Sequence, residues 1–242
     1  MKRIILTAML SLAATGGALA ADLPQPAPLP QAPAAYVPTV APVYNWGGIY
    51  LGINGGWGWG QTSWTTGTNA AATFGTPLSW NTSSNGGVVG GTVGANFQWD
   101  ALVLGVEGDW DYSAINTGTS STICNGTGAC QTGNNWLATF RGRVGWAVDR
   151  VLFYATGGGA FANVQTTFNG IQNTRSQAGW TAGAGVEWAF ADNWTARAEY
   201  LYVDLGNYNG TCTTAACGPG GLPFSASLKE NLLRAGVDFK FR

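Results

Sequence analysis

Histidine is absent from the 242 residues, and charge is scarce: Asp, Glu, Lys and Arg together make up 10% of the chain. Without an imidazole, a serine or cysteine nucleophile has no ordinary base beside it, so the usual machinery of hydrolases and acyltransferases lacks a part. A water-activating pair of carboxylates is the one hydrolytic arrangement left. Methionine occurs only as Met1 and Met9. A chain trimmed of its amino-terminal segment therefore offers haem iron nothing but tyrosine or free cysteine. So little charge makes a poor water-facing surface for a soluble domain. The slightly acidic balance gives no basic footprint for nucleic acid. After residue 20 glycine interrupts every apolar stretch, and none is long enough for a membrane helix.

What is present begins with an export signal over residues 1–20. Lys2 and Arg3 precede the uncharged apolar run Ile4 to Ala18, and Ala18-Leu19-Ala20 is a small-x-small cleavage site, so the mature chain is expected to begin near Ala21. The competing reading, a transmembrane helix, needs ~20 apolar residues, more than this run supplies. With Lys2 and Arg3 removed, the 11 Lys+Arg fall to 9 against 12 Asp+Glu, a net charge of −3. Residues 21–45 read as a periplasmic linker, with Pro24, Pro26, Pro28, Pro30, Pro33, Pro38 and Pro42 among alanines. Proline removes backbone donors and favours extended polyproline, so this segment cannot join a sheet. Residues 46–242 remain for one domain. An exported, apolar chain without spanning helices satisfies its backbone in lipid as a closed barrel.

From Trp46 onward apolar and polar residues alternate. Eight strands are expected, at about 48–60, 87–99, 101–113, 135–148, 151–165, 177–190, 193–205 and 227–241. In the third, Leu102, Leu104, Val106, Trp110 and Tyr112 share a face opposite Val103, Gly105, Glu107, Asp109 and Asp111. In the last, Leu233, Ala235, Val237, Phe239 and Phe241 oppose Arg234, Gly236, Asp238 and Lys240. A period of two with one apolar face is the strand signature, and about ten residues suit a tilted bilayer crossing. The fifth strand is ambiguous, because Phe153 and Phe161 lie opposite Leu152, Tyr154 and Ala160. Short turns are expected at 99–100, 149–150 and 191–193, and longer polar loops at about 61–86, 114–134, 166–176 and 206–226. The fold class is therefore all-β: an eight-stranded antiparallel up-and-down transmembrane barrel with short periplasmic turns and long extracellular loops.

Aromatic placement tests this reading. Trp59, Trp110, Tyr112, Trp136, Trp180 and Tyr202 fall near the outer ends of strands. Trp46, Phe97, Trp99, Trp146, Tyr154, Trp188, Phe190, Trp194, Phe239 and Phe241 fall near the inner ends. Two girdles flanking a plain apolar band are expected where aromatic rings settle at both bilayer interfaces, and a soluble sandwich has no reason to sort them so. The four cysteines sit in two long loops as close pairs. In an oxidising compartment they are expected to form the disulfides Cys124–Cys130 and Cys212–Cys217. Zinc is the alternative, weakened by the missing histidine and by the absence of C-x2-C spacing.

An eight-stranded barrel is barely wide enough for its own side chains. Its inward face is expected to carry Glu107, Asp109, Asp111, Glu187, Glu199 and Asp238 with Arg141, Arg143, Arg197, Arg234 and Lys240. Buried charge is costly unless paired, so the near balance suggests a neutral ion-pair network across the lumen. Arg141 and Arg143 are expected to pair with Glu107, Asp109 and Asp111. The other reading of the same residues is a narrow polar path for water or small ions.

Six stretches carry a resemblance: Trp46–Gly60 (WGGIYLGINGGWGWG), Leu102–Ser113 (LVLGVEGDWDYS), Arg141–Ala147 (RGRVGWA), Leu152–Val164 (LFYATGGGAFANV), Asn193–Gly206 (NWTARAEYLYVDLG) and Leu232–Phe241 (LLRAGVDFKF). Together with the Pro/Ala-rich tether they resemble the small outer-membrane β-barrel immunogenic proteins and surface antigens of alpha-proteobacteria, a porin-like family. The resemblance implies an eight-stranded barrel, roles in envelope integrity and surface antigenicity, and haemin binding in some members. Haemin binding is not carried over, since the ligands are missing, and no cofactor is expected. One departure is that Arg242 follows Phe241, where such barrels end on an aromatic residue. Expected partners are outer-membrane lipid and lipopolysaccharide, and the outer-membrane assembly machinery through the last strand.

Overall fold

The computed structural model describes residues 44–67, 79–119, 130–168, 171–212 and 222–241. The expected signal and nearly all of the linker lie outside these residues, as does Arg242. The described residues form eight strands: β1 (Gly48–Thr66), β2 (Ser79–Trp99), β3 (Leu102–Thr119), β4 (Cys130–Val148), β5 (Val151–Phe168), β6 (Ile171–Ala189), β7 (Trp194–Cys212) and β8 (Leu222–Phe241). Each pairs antiparallel with its sequence neighbours, and β8 returns to β1 to close the barrel. This is the expected fold class. Hydrogen-bonded partners lead from Gly48 through Asn96, Gly105, Arg143, Thr156, Gly183, Leu201 and Leu232 back to β1 at Gly58, ten residues up the strand. With strands ~4.8 Å apart and ~3.3 Å of rise per residue, that stagger tilts them by roughly 40° around a wall of about 8 Å radius.

Strand parity sorts the side chains. Ile53, Val93, Val106, Phe140 and Val144 face out, while Glu107, Asp109, Arg141 and Arg143 are buried. The ambiguous β5 resolves by the same rule: Phe153 and Phe161 are exposed on the wall, and Leu152, Tyr154 and Ala160 are buried in the lumen. Trp99, Trp146, Trp188, Trp194, Phe239 and Phe241 ring the short-turn end, and Trp59, Trp110, Trp136 and Trp180 ring the other. Neighbouring rings touch: Trp110 and Trp136 stack at 5.1 Å, and Trp194 meets Phe239 edge-on at 5.1 Å. Trp136 and Trp146 are ten residues apart on β4, about 25 Å along the barrel axis, which matches an outer-membrane apolar band.

Two aromatics expected on the inner girdle lie inside instead. Tyr154 has lumen parity and is 4% exposed; Trp46 precedes β1 and is 1% exposed beneath the barrel mouth. Two short turns place Asp100 (φ 52) and Asp149 (φ 49) in the left-handed region, which aspartate tolerates because its side chain bonds locally.

The strands are longer than the alternation suggested. Beyond the upper aromatic ring they continue for roughly 15–20 Å as a collar. The segment expected as a loop at 166–176 is mostly hairpin, with Phe168 paired to Ile171. In the collar Gln61, Ser63 and Thr65 face out while Thr62 and Trp64 face in. Ser, Thr and Asn on a water-washed strand look like loop in sequence, which is why these segments were read so. Register shifts fall between Tyr112 and Ile115, between Asn134 and Leu137, and between Asp204 and Asn207. Cys124 and Cys217 lie outside the described residues, as do the side chains of Cys130 and Cys212, so both expected disulfides do too.

Candidate functional site

The lumen is filled in layers. The middle layer is ionic and centres on Arg141, which is fully buried. Its guanidinium contacts three carboxylates: Glu107, Asp109 at 2.6 Å and Glu199 at 2.9 Å. Glu107 and Arg141 are direct cross-strand partners, so the β3–β4 register brings them together. Arg143, two residues along on the same face, reaches Glu187 at 2.7 Å and Glu107 at 3.4 Å. Arg197 bonds Glu107 at 2.6 Å and lies 3.5 Å from Asp238. Arg234 bonds Asp111 at 2.5 Å and Glu199 at 2.6 Å. Two expectations need correction. The cation on Asp111 is Arg234 from across the barrel, because at that height β4 presents Leu137, Asp111's own cross-strand partner, instead of an arginine. Lys240 lies below the ionic layer, where its ammonium donates to the Asn45 carbonyl and sits 4.2 Å over the Tyr44 ring.

Neutral groups complete the layer. Tyr50 Oη donates to Glu107 at 2.6 Å, and Tyr154 Oη to Glu199 at 3.1 Å. The Arg143 guanidinium lies 4.3 Å over the Tyr154 ring and 5.5 Å from that of Tyr50. Thr92 and Thr139 donate to Asp109 at 2.7 and 2.8 Å. The phenol rings need space: a Cβ on Gly94 would collide with the Tyr50 ring, and one on Gly185 with the Tyr154 hydroxyl. Inward glycines therefore make room for tyrosine more than for arginine. Each hydrogen bond in such a network is strengthened by its dry surroundings, and each unpaired member would be costly.

Above the ions lies an apolar layer of Leu137, Leu201, Val203, Leu205, Leu232 and their neighbours. Glu230 is buried within it, accepting both bonds of the Asn134 amide at 3.2 Å, while Ser113 donates to Asn134 Oδ1 at 2.6 Å. The base is closed by the segment before β1. Trp46 packs with Val103, Ala147, Leu152, Tyr154 and Ala189, and donates its indole N–H to the Asp149 carbonyl at 3.1 Å. Tyr44 donates to the Asp192 carbonyl at 3.1 Å and meets Trp46 edge-on at 5.0 Å. The linker boundary at residue 45 therefore cuts through this cork.

Sequence reasoning missed Tyr50, Tyr154, Glu230 and the apolar layer. Glu230 shares parity with Arg234, Asp238 and Lys240, and that parity was the available signal, whereas Tyr154 lies on the strand whose two faces the sequence left ambiguous. Chemically, Glu107, Asp109 and Asp111, the inward neighbours on β3 that come nearest to a water-activating pair, are each held by arginine. Among the described residues no cluster of cysteine and carboxylate side chains is arranged to hold a metal ion.

Residues 27–241 match the family model described as outer membrane protein beta-barrel domain. A 31 kDa outer-membrane immunogenic protein of Brucella melitensis is 35% identical over 227 residues, covering 86% of this chain and 89% of that protein. A 25 kDa outer-membrane immunogenic protein of Brucella abortus is 31% identical over 239 residues, covering 98% and 96%. Among solved structures, the outer membrane protein OprG from Pseudomonas aeruginosa has a TM-score of 0.60 at 13% identity, covering 81% of this chain and 97% of that one, a likeness of fold.

Proposed function

Because the chain belongs to the outer membrane protein β-barrel family, we propose that it acts as a closed structural barrel of the outer membrane, supporting envelope integrity and presenting its long loops as surface antigen. The carrying observation is the filled lumen. Arg141 in the middle, with side-chain exposure of 0%, is capped above by the apolar layer and below by Trp46. A solute would have to displace all three layers. Separating the ions alone leaves uncompensated buried charge at a cost of about 3–5 kcal/mol.

In this reading residues 1–20 direct export and the short turns and both termini face the periplasm. The long loops, with their two disulfides, face outward. The apolar wall meets lipid and lipopolysaccharide, and β8, ending in Phe239 and Phe241, is the strand the assembly machinery engages. A catalytic role is disfavoured because arginine neutralises the carboxylates that would have to act as bases.

The runner-up is a low-conductance channel. It is favoured by buried polar atoms with no hydrogen bond among the described residues: Arg143 Nε, Arg234 Nε and both carboxylate oxygens of Asp238. Such atoms could line a thread of water. Planar-bilayer recording of the purified chain separates the readings. The structural barrel gives no regular current steps, whereas uniform steps that change size in Arg141→Met would put the channel first. A deletion strain is expected to become more sensitive to detergents and antibiotics, and unchanged sensitivity would remove the envelope role.

A further inference from the structure

In the collar the wall is interrupted among the described residues. Pairing between β6 and β7 stops at Trp180 and Asp204, level with the upper aromatic ring, although β6 begins at Ile171 and β7 continues to Cys212. Each strand keeps its other neighbour, β6 pairing with β5 as far as Ile171 and β7 with β8 as far as Cys212. Two strand edges therefore flank a notch. Its local cause is a bulge in β7. Gly206 has φ 71, the register with β8 shifts between Asp204 and Asn207, and the Gly206 N–H donates to Asp204 Oδ1 at 2.9 Å. An extra residue in one strand bends it out of its ladder, and the β6–β7 ladder ends beside this bulge.

Exposed edges are normally blunted by proline, charge or a covering segment. Neither edge has a proline, and Arg175 is the one charge along residues 171–179 and 205–212. Behind the notch the interior is apolar, with a cavity of about 10 Å³ bordered by Trp64, Val164, Gln177, Tyr208 and Leu228. The opening begins above the aromatic ring, where water replaces hydrocarbon and an open edge is tolerated.

We propose that this notch is a β-augmentation site for an extended segment of a water-soluble polypeptide. The incoming strand would bond the backbone of β6 and β7 that has no ladder partner on this side among the described residues, over about six residues. Alternate side chains would point inward to Val164, Tyr208 and Leu228, so one face of the segment is apolar and the other polar. A lipid tail matches the apolar interior in polarity, but it offers the two edges no donors or acceptors. A second copy is excluded by geometry. Where two upright barrels face each other, strands tilted by roughly 40° in opposite senses cross at roughly 80°, too steeply to pair. That the notch faces outside the cell rests on the orientation proposed above; the ladder itself does not.

The test uses the mature full-length chain in lipid nanodiscs, where orientation plays no part. The probe is a labelled heptapeptide of alternating threonine and valine. Controls are the same peptide N-methylated at alternate residues, in each of the two phases, and n-dodecane. Expected are saturable binding and slowed amide exchange at residues 174–179 and 205–211 but not at 181–203. At least one N-methylated phase should bind about tenfold more weakly or worse, having lost donors to a strand edge. Binding of both methylated phases as tight as that of the unmethylated peptide, protection elsewhere, or no binding at millimolar peptide overturns the proposal. Protection, in the free protein, of those alternate amides of residues 174–179 that point away from β5 overturns it too, since the notch would then be closed. Protection by n-dodecane alone overturns it in favour of an apolar ligand.

Discussion

At the level of Arg141 the barrel turns Ile53, Val93 and Phe140 outward and buries its charge; higher up β1 it turns Gln61, Ser63 and Thr65 outward and buries Trp64. The strands, their parity and the closed topology are shared, but the chemistry of the two faces is exchanged. Burying apolar surface is favourable only when it removes that surface from water. In the collar, where water washes the wall, the interior is held by Trp64, Leu205, Leu228 and Val164 like that of a small soluble domain. In the band, lipid gives no such gain, and the interior coheres through Arg141, Glu107, Asp109 and their partners. One sheet thus carries two solutions to the same packing problem, and the changeover falls at the upper aromatic ring.

The largest expected effect tests the ionic half. Arg141→Met leaves Glu107, Asp109 and Glu199 short of a partner and should lower stability by about 3–5 kcal/mol, read from urea unfolding in lipid vesicles. Adding Glu107→Gln in the same molecule should recover part of the loss. A double-mutant cycle without coupling would mean that the band does not depend on its ions. Next comes the wall. Val106→Arg places a charge in the apolar band and should cost about 2–4 kcal/mol; a negligible cost would place Val106 outside lipid and undo the parity. The collar interior comes third. Leu205→Ala should cost about 2 kcal/mol, at the low end for a buried leucine because the nearby cavity lets neighbours relax. The loss should appear as faster amide exchange in the collar, with the band unchanged. Faster exchange in both regions would show that the two halves unfold as one. The smallest effect is the control: Ser63→Arg, on the watered face, should stay within about 0.5 kcal/mol. A penalty as large as that of Val106→Arg would extend the membrane upward and remove the contrast.

Much of this was legible because a strand's period of two needs no tertiary information. Gly105 beside Val106, and Gly236 beside Val237, sort to opposite faces by parity alone. The acids of β3 and the arginines of β4 could be brought together because consecutive strands of an up-and-down barrel are neighbours, whatever the length of the loop between them. Height was harder. Leu137 and Leu201 share the inward parity of Arg141 and Arg197, but their union with Leu232 depends on the ten-residue stagger around the closed barrel, which no single hairpin reveals. Tyr154 was misplaced because its residue type suggested an interfacial ring while apolar residues on both faces of β5 hid which parity was lumen. The collar was hidden because Ser, Thr and Asn serve both a loop and a strand with one face in water. The notch follows from a bulge at Gly206, and a glycine in a polar stretch does not announce one.

The cork beneath the barrel also bears on order in time. Trp46 stands just ahead of β1, yet its indole partner is in the turn joining β4 to β5, and Tyr44 reaches the turn joining β6 to β7. Whatever sequence the strands follow in zipping together, this segment has nowhere to dock until both turns are in place. A segment made before any of the eight strands is therefore among the last to settle. The burial of Trp46 marks the moment at which assembly is complete.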